Sequence, residues 1–425
     1  MKKEFSNLII DIQKKSKIEV VKVRDLKYLQ EEIYTLTNKN ISYNTLRRFY
    51  GFLNPTNPSI DTLNTFALYL GFTNYSSYLN SVVKHDEWFF QMNMLRLQLN
   101  LNGLVKNDVI QINTSLQNEN NSIAAANYVC FLIEKNKIES LILFFTFFDY
   151  KKLTNNSLTK FALLTAFSFY KIENKDALAI YKRLIPFESF RNAGPLYFID
   201  YSHLNGYYGE VIRMINAFNA NESDFLFSSL MEFYQKFYSN EDYNGVLINL
   251  PKKSEQLYPV LLGRYYGYKI LSAEKIDKSL ENSIKNELKS AQHQLFLLEI
   301  IPALVLRDAT DLLDLIFENY YEELFEVDGW SSKTSVAIYL IGLASLNINK
   351  ENFKTAQNNL SLVELDKIEL AYTDYITLFY FLTKIKLYFY EKDFHKVYDN
   401  YSKLKELANK IGFHKFITVA QKYIE

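Results

Sequence analysis

A short run of polar side chains between residues 39 and 48 carries the kinds of group that recognise nucleic acid. Its members are Lys39, Tyr43, Asn44, Thr45, Arg47 and Arg48. Arginine can form two hydrogen bonds with guanine and asparagine two with adenine, whereas lysine commonly contacts phosphates. We therefore predict that this run binds double-stranded DNA, with Asn44 and Arg47 at base edges. The phosphate contacts are expected from Lys39, Lys22 and Lys27.

The residues around this run predict the helix that presents it. Ser42 is a favourable N-cap, and Ile41 before it can contact Leu46 as a hydrophobic staple. A helix that begins at Tyr43 has an inner apolar face formed by Leu46, Phe49 and Tyr50. The other face carries Tyr43, Asn44, Arg47 and Arg48, and Thr45 lies between the two. We expect Gly51 to end this helix.

Four further amphipathic helices are predicted in residues 1–82, two before the polar run and two after it. Their apolar positions recur at helical spacing: Phe5, Leu8, Ile9 and Ile12; Leu26, Leu29, Ile33 and Leu36; Leu63, Phe66, Ala67 and Leu70; Tyr75, Tyr78, Leu79 and Val82. Asn38 and Asn40 favour a tight turn between the second and third helices. Ser59 is expected to cap the fourth helix and Gly71 to end it.

This arrangement resembles a known family of DNA-binding domains. Ile41 to Arg48 (Ile-Ser-Tyr-Asn-Thr-Leu-Arg-Arg), with the segments 58–63 and 67–71, resembles the helix-turn-helix of Cro and phage-repressor-type proteins. The turn and third helix are also similar to those of lac-repressor-type proteins. The resemblance covers roughly 60 of the 425 residues. It implies that the third helix is a recognition helix and that residues 1–82 form a DNA-binding domain.

Residues 83–425 contain a recurring pattern that favours stacked helical hairpins. Short polar turns end at Ala177, Tyr208, Tyr243, Phe353 and Phe394, with spacings of 31, 35, 110 and 41 residues. Apolar or aromatic residues follow each turn at three and seven positions: Ile180, Val211, Val246, Ala356 and Val397, then Leu184, Ile215, Leu250, Leu360 and Tyr401. Because one hairpin cannot bury its apolar face alone, this pattern predicts an all-α fold with an α-solenoid after the first domain.

Two of these segments, 349–356 and 391–398, resemble tetratricopeptide repeats. The resemblance implies that residues 83–425 form a sensing and oligomerisation domain that binds a peptide or protein. The aromatic residues of segment 375–390 could line such a site, but core packing is the favoured interpretation for each of them. The sequence therefore assigns no ligand-binding residue in this region.

The charge of the chain is divided between these two regions. The whole sequence has 48 basic and 48 acidic residues, which excludes a uniformly basic nucleic-acid coat. Residues 1–82 contain 11 basic and 7 acidic residues, a net charge of +4, so the remainder carries −4. Since +4 is small for a domain that binds a polyanion alone, we expect DNA binding to require a homodimer.

The remaining chemistry-bearing residues do not form a recognisable catalytic or metal-binding motif. The five histidines, His85, His203, His293, His395 and His414, show no metal-ligand spacing, and no phosphate-binding glycine motif is present. Cys130 is interpreted as a buried small side chain rather than a nucleophile. We therefore predict a protein that is not an enzyme and has no cofactor or metal site.

The compartment is predicted from the same residues. A single cysteine fits a reducing environment, and the most apolar stretch, 141–148, is too short to span a bilayer. The first residues also lack the apolar core of a signal peptide. These features favour a bacterial, cytoplasmic protein without a membrane partner.

Two functional hypotheses remain open at this point. The first is a transcriptional regulator in which residues 1–82 bind DNA and the helical repeats bind a peptide or protein and mediate self-association. The alternative is a non-enzymatic interaction scaffold in which the N-terminal bundle is a degenerate helix-turn-helix that docks onto a protein.

Overall fold

The computed structural model describes residues 5–54, 56–100, 103–218, 221–243, 248–250, 257–289, 293–326 and 332–424, and the regular secondary structure in these ranges is helical. This confirms the predicted all-α class. The α-helices are α1 (Ser6–Ser16), α2 (Asp25–Thr37), α3 (Tyr43–Phe49), α4 (Ile60–Leu70), α5 (Tyr75–Leu99), α6 (Lys106–Asn113), α7 (Glu119–Glu134), α8 (Ile138–Phe147), α9 (Asn155–Phe169), α10 (Asn174–Leu184), α11 (Glu188–Asn192), α12 (Tyr207–Phe218), α13 (Glu222–Ser239), α14 (Pro259–Ser272), α15 (Lys278–Glu287), α16 (His293–Leu306), α17 (Thr310–Phe325), α18 (Ser332–Asn349), α19 (Phe353–Ser361), α20 (Leu370–Tyr390), α21 (Phe394–Ile411) and α22 (Lys415–Gln421).

The chain forms two compact units, Met1–Leu101 and Asn102–Glu425. The sequence placed the boundary after residue 82. Helix α5 continues past that position to Leu99, which is why the first unit is longer than predicted. The net charge of residues 1–101 is still +4, because they contain 13 basic and 9 acidic residues.

The first unit has one apolar core, to which α1 to α5 all contribute. Its buried members are Leu8, Ile9, Ile12, Leu26, Leu29, Ile33, Ile41, Leu46, Phe49, Leu63, Phe66, Ala67, Tyr69 and Tyr78. Nearly all of the positions predicted from helical periodicity lie in this core or pack against it. Leu36 and Leu79 are exceptions, with 60% and 45% of their surface exposed. The side chain of Val82, which was also predicted to be apolar core, lies outside the described residues.

Four of the predicted helix ends of the first unit are confirmed, whereas α3 ends at Phe49 with Tyr50 as its C-cap, just before Gly51. The Ser42 hydroxyl accepts a hydrogen bond from the Thr45 N–H, and the Ser59 hydroxyl accepts one from the Thr62 N–H. Asn38 ends α2 in the left-handed conformation at φ 52°, and Gly71 ends α4 at φ 102°. These caps satisfy backbone groups that a helix end would otherwise leave without partners.

In the second unit, many helices that follow one another in sequence pack together, as α12 does on α13 and α20 on α21. Helices α14, α16, α18 and α20 pack side by side in that order, and α15, α17 and α19 connect them. The same alternation occurs earlier, where α7 packs on α9 and α10 packs on α12. Each of these helices therefore packs against a helix that is not its immediate neighbour in sequence, and this packing buries apolar residues that a single hairpin would leave exposed.

Most of the apolar positions predicted from the repeated pattern are buried. They include Ala177, Ile180, Leu184, Tyr208, Val211, Ile215, Ala356, Leu360 and Val397. Tyr401 is half-buried, Phe394 is 52% exposed, and Val246 lies outside the described residues. Three of the predicted polar turns contain a left-handed residue, at Asn240, Glu351 and Lys392, which reverses the chain between two helices.

The last helices return to the middle of the second unit. Helix α22 contacts both α13 and α20, and α20 also contacts residues 201–203. The Asn205 side-chain amide donates to the carbonyl oxygens of Ile411 and Gly412 at 3.1 and 3.0 Å. An open solenoid has contacts only between neighbouring repeats. These contacts between distant helices were not predicted from the sequence.

Candidate nucleic-acid interface

Helix α3 is held against the first unit by apolar and polar contacts. Leu46 is fully buried, and the rings of Phe49 and Phe66 lie 4.6 Å apart. The Gln30 side-chain amide donates a 2.6 Å hydrogen bond to the Ile41 carbonyl oxygen, which fixes the turn before α3. These contacts leave the opposite face of α3 free to carry polar side chains.

Tyr43 has a different position from the one predicted. It was expected to project outward with the other polar residues, but it is half-buried and packs against the apolar core. Its hydroxyl donates a 2.8 Å hydrogen bond to the Val23 carbonyl oxygen. Tyr43 therefore joins the start of α3 to the turn that precedes α2, and its hydroxyl proton is already used within the protein.

Asn44, Arg47 and Arg48 occupy the outer side of α3 to different degrees. Asn44 and Arg48 are exposed, whereas Arg47 is half-buried. The Arg47 guanidinium lies 5.9 Å from the centre of the Tyr43 ring and donates to the Asn44 amide oxygen at 3.3 Å. The Arg47 Nε atom is buried, and no described residue forms a hydrogen bond with it. Arg47 and Asn44 thus form a coupled pair, while Arg48 extends into solvent.

The other predicted residues surround this pair. Thr45 is half-buried, and its hydroxyl lies 2.8 Å from that of Ser42, so it contributes to the cap of α3. Lys39, in the turn between α2 and α3, is exposed. Lys22 and Lys27 are exposed at the other end of α2. The structure therefore leaves these lysines free to contact an external anion.

Arg24 is a further basic residue that the sequence analysis did not assign to the site. It is exposed and lies next to Val23, whose carbonyl oxygen accepts the Tyr43 hydroxyl. The turn is stabilised by Asp25, whose carboxylate accepts hydrogen bonds from the N–H groups of Val21 and Lys22 at 3.1 and 2.7 Å. Lys22 and Arg24 are thereby placed beside the start of α3. No local pattern around Val23 indicated this contact, because its partner is 20 residues away.

The remaining reactive side chains do not form a second site of recognisable chemistry among the described residues. Within those ranges, no three His, Cys, Asp or Glu side chains converge in a way that could hold a metal ion. Cys130 is half-buried rather than buried, its thiol lies 3.2 Å from the Leu164 carbonyl oxygen, and burial raises its pKa to about 11. None of the described helices has the length and apolar character needed to cross a bilayer.

Comparisons with known proteins give no match to a family model, to a curated protein or to a solved structure.

Proposed function

We propose that this protein is a DNA-binding transcriptional regulator. The first unit would act as a helix-turn-helix domain, with α3 as its recognition helix, and the second as a tetratricopeptide-like repeat domain that senses a peptide or protein. The observation that carries the proposal is the exposure of Asn44 and Arg48 on α3, together with the exposed basic residues on either side of Val23 and in the turn before α3, which are Lys22, Arg24 and Lys39. Asparagine and arginine are side chains that read base edges, and flanking cations hold the phosphate backbone.

The coupling of Arg47 to Asn44 supports a specific division of roles. Arg47 would orient the Asn44 amide through their 3.3 Å hydrogen bond. Arg47 itself would contact a base only if this bond broke and was replaced by a hydrogen bond to DNA. Arg48 has no such internal hydrogen bond among the described contacts and is exposed. We therefore assign the first external contact to Arg48 and Asn44 rather than to Tyr43 or Arg47.

The two exposed residues of α3, Asn44 and Arg48, are the ones to substitute in a test of this proposal. Asn44→Ala combined with Arg48→Glu should weaken binding to duplexes selected from a random-sequence pool at least tenfold, because a base contact is lost and a charge is reversed. The control is Arg183→Glu in α10, which makes the same change of charge at a site that is 55% exposed in the second unit. Binding by the unchanged protein should fall as salt increases, as expected for phosphate contacts.

The proposal is overturned if the full-length protein selects no duplex, or if the double variant and the control bind equally. A stoichiometric protein complex in the absence of DNA binding would then support the alternative scaffold, in which the first unit is a docking module. Far-ultraviolet circular dichroism should show unchanged helical content in all variants, because the substituted side chains are on exposed faces.

A homodimer is part of this proposal because the first unit carries only +4. Helix α5 has an apolar seam, which we define as Trp88, Phe89, Met92, Leu95 and Leu99. These side chains are 46% to 81% exposed, whereas Phe90, Met94 and Leu97 on the other side of the helix are buried. Trp88, Met92, Leu95 and Leu99 follow a 4-3-4 spacing, which is the spacing of facing helices in a coiled coil.

We propose that the α5 seam packs against the α5 seam of a second copy of this chain. From typical side-chain areas, its exposed part amounts to about 600 Å² per chain, so a pair would bury about 1,200 Å², the lower end of stable interfaces. An antiparallel pair would place Trp88 opposite the partner subunit's Leu99, and Met92 opposite the partner subunit's Leu95. In this register Gln91 would lie opposite the partner subunit's Arg96, and Phe89 opposite the partner subunit's Gln98. No two like charges would therefore face each other.

Leu95→Glu tests the seam, because it places two charges at the centre of the pair. Sedimentation equilibrium should give twice the mass of one chain for the unchanged protein and the mass of one chain for the variant. Ile10→Glu is the control, since Ile10 is similarly exposed on α1, outside the seam. A monomeric unchanged protein, or a dimeric Leu95→Glu variant, would overturn this assignment.

A further inference from the structure

The second unit contains a cavity of about 360 Å³ that is separate from the residues discussed so far. Its walls come from α9, the segment after α11, α13, α14, α16 and the start of α20. They are largely apolar, with Leu158, Leu163, Phe198, Phe227, Leu261 and Leu298 among the lining residues. Cavities that bind small ligands range from about 300 to 1,000 Å³ and have mostly apolar walls with a few polar groups.

Two of the three charged residues that line the cavity are neutralised inside the protein. The Arg264 guanidinium donates to the Glu299 carboxylate at 2.8 Å, and both side chains are about 5% exposed. The Asp224 carboxylate accepts from the Arg191 Nε at 2.6 Å, and both of these are 4% exposed. These pairs leave no net charge on the cavity wall.

The third charged residue is Glu369, which lies at the N-cap of α20. Its backbone N–H donates to the Thr334 hydroxyl, but its side chain does not cap the helix. The Glu369 Oε1 atom is buried and has no hydrogen-bond partner among the described residues. Burial raises the pKa of this carboxyl to about 7. An unpaired carboxylate is costly in an apolar wall, and a bound cation would compensate for it.

Tyrosine rings form a further part of the wall. The Tyr197 and Tyr258 ring centres are 5.8 Å apart, and the Tyr197 hydroxyl lies 2.9 Å from the Thr159 hydroxyl. Tyr258 is 42% exposed. The faces of such rings attract organic cations, and their edges add apolar contact area.

We infer that this cavity binds an organic cation with an apolar body, whose ammonium or guanidinium group pairs with Glu369. The apolar part would fill the space between α9, α14 and α16. A volume near 360 Å³ suits either a small arylalkylamine or the amino-terminal end of an apolar peptide, which share this chemistry. Such a ligand would be the signal for the sensing role proposed above. The biological meaning of the inference rests on that role, whereas ligand binding itself does not.

The experiment measures binding by calorimetry to the full-length protein without DNA, so it does not depend on the DNA-binding proposal. The probes are phenethylamine and leucyl-phenylalanine amide, each compared with a neutral counterpart, phenethyl alcohol and the N-acetylated dipeptide. At least one amine should bind at least tenfold more tightly than its neutral counterpart. Tighter binding of the dipeptide identifies a peptide terminus as the source, and tighter binding of phenethylamine identifies a small amine.

Glu369→Gln should abolish the preference for the charged probe, because the amide keeps the shape of the carboxyl but not its charge. Glu364→Gln is the matched control, since Glu364 is a half-buried glutamate five positions earlier that pairs with Lys333 and Lys367. Ala162→Phe, which fills the cavity from α9, should abolish binding of both probes. The inference is overturned if neither amine binds the unchanged protein, if the neutral probes bind equally well, or if a folded Glu369→Gln variant keeps the preference for the charged probe.

Discussion

The Tyr43 hydroxyl donates a 2.8 Å hydrogen bond to the Val23 carbonyl oxygen. This contact joins the first residue of α3 to the turn before α2, in which Val23 lies between the basic residues Lys22 and Arg24. Tyr43 was predicted to contact DNA directly, but its hydroxyl proton is used in an internal hydrogen bond that helps to position the start of α3. The outer surface of α3 is consequently narrower than the sequence suggested, and it is centred on Asn44 and Arg48.

Tyr43→Phe should reduce the free energy of unfolding of the first unit by about 1 kcal/mol, the usual contribution of one hydrogen bond. The ring and its contact with Arg47 remain, so the loss is specific to the hydroxyl. Urea denaturation followed by circular dichroism measures the change. Tyr28→Phe is the control, because Tyr28 is 65% exposed and should have almost no effect. Equal stability of the two variants would contradict the positioning role.

The buried pair Arg191 and Asp224 should be sensitive to loss of either partner. Asp224→Asn leaves the Arg191 charge in a site that is 4% exposed, at a cost of about 3 to 5 kcal/mol. The double variant Arg191→Met with Asp224→Leu should recover much of this loss, since it removes both charges together. Thermal denaturation of the three proteins distinguishes the outcomes. A double variant as unstable as Asp224→Asn would show that the hydrogen bonds from Arg191 to the carbonyls of Ile185 and Pro186 dominate instead.

The carboxyl of Glu369 makes the stability of the free protein depend on pH. Its pKa is raised by burial from 4.5 to about 7, so the folded protein holds this proton more tightly than the unfolded chain. The associated stability is fully present below pH 4.5 and is lost as the pH rises through 7. Glu369→Gln should therefore be more stable than the unchanged protein above pH 7, by at most about 3 kcal/mol. Melting curves at pH 5 and pH 8 measure this difference, and no gain at pH 8 would contradict it.

Cys130 should react slowly with alkylating agents. Burial raises its pKa to about 11, and the thiolate is the reactive form. Iodoacetamide at pH 8 should modify the folded protein at least tenfold more slowly than the protein in urea, as measured by mass spectrometry. Rapid modification of the folded protein would show that the thiol is more accessible than its position between α7 and α9 implies.

Much of the first unit is determined by local sequence. The caps at Ser42 and Ser59 and the chain reversals at Asn38 and Gly71 depend on residues within one helical turn, so the sequence alone predicts them. The apolar periodicity likewise identifies the core positions, because a helix buries one face. It overestimates the core at Leu36 and Leu79, since periodicity does not show where a neighbouring helix ends.

In the second unit, several tertiary contacts could not be predicted from local sequence. The repeated pattern predicts hairpins and their buried positions, but not the contacts between Asn205 and residues 411–412 or between the hydroxyls of Tyr238 and Tyr375, which lie 2.9 Å apart. Partners separated by more than a hundred residues leave no periodic signal in the sequence.

The sequence by itself determined the helices, their caps, most of their buried faces and the division of charge, because each depends on neighbouring residues or on composition. The tertiary structure decided that the Tyr43 hydroxyl contacts Val23 and that the Glu369 Oε1 atom has no hydrogen-bond partner in the part of the chain that the structure describes. It also decided that the α5 seam remains exposed although the opposite side of the helix is buried. These features depend on which distant surfaces meet, and packing of the whole chain selects those surfaces.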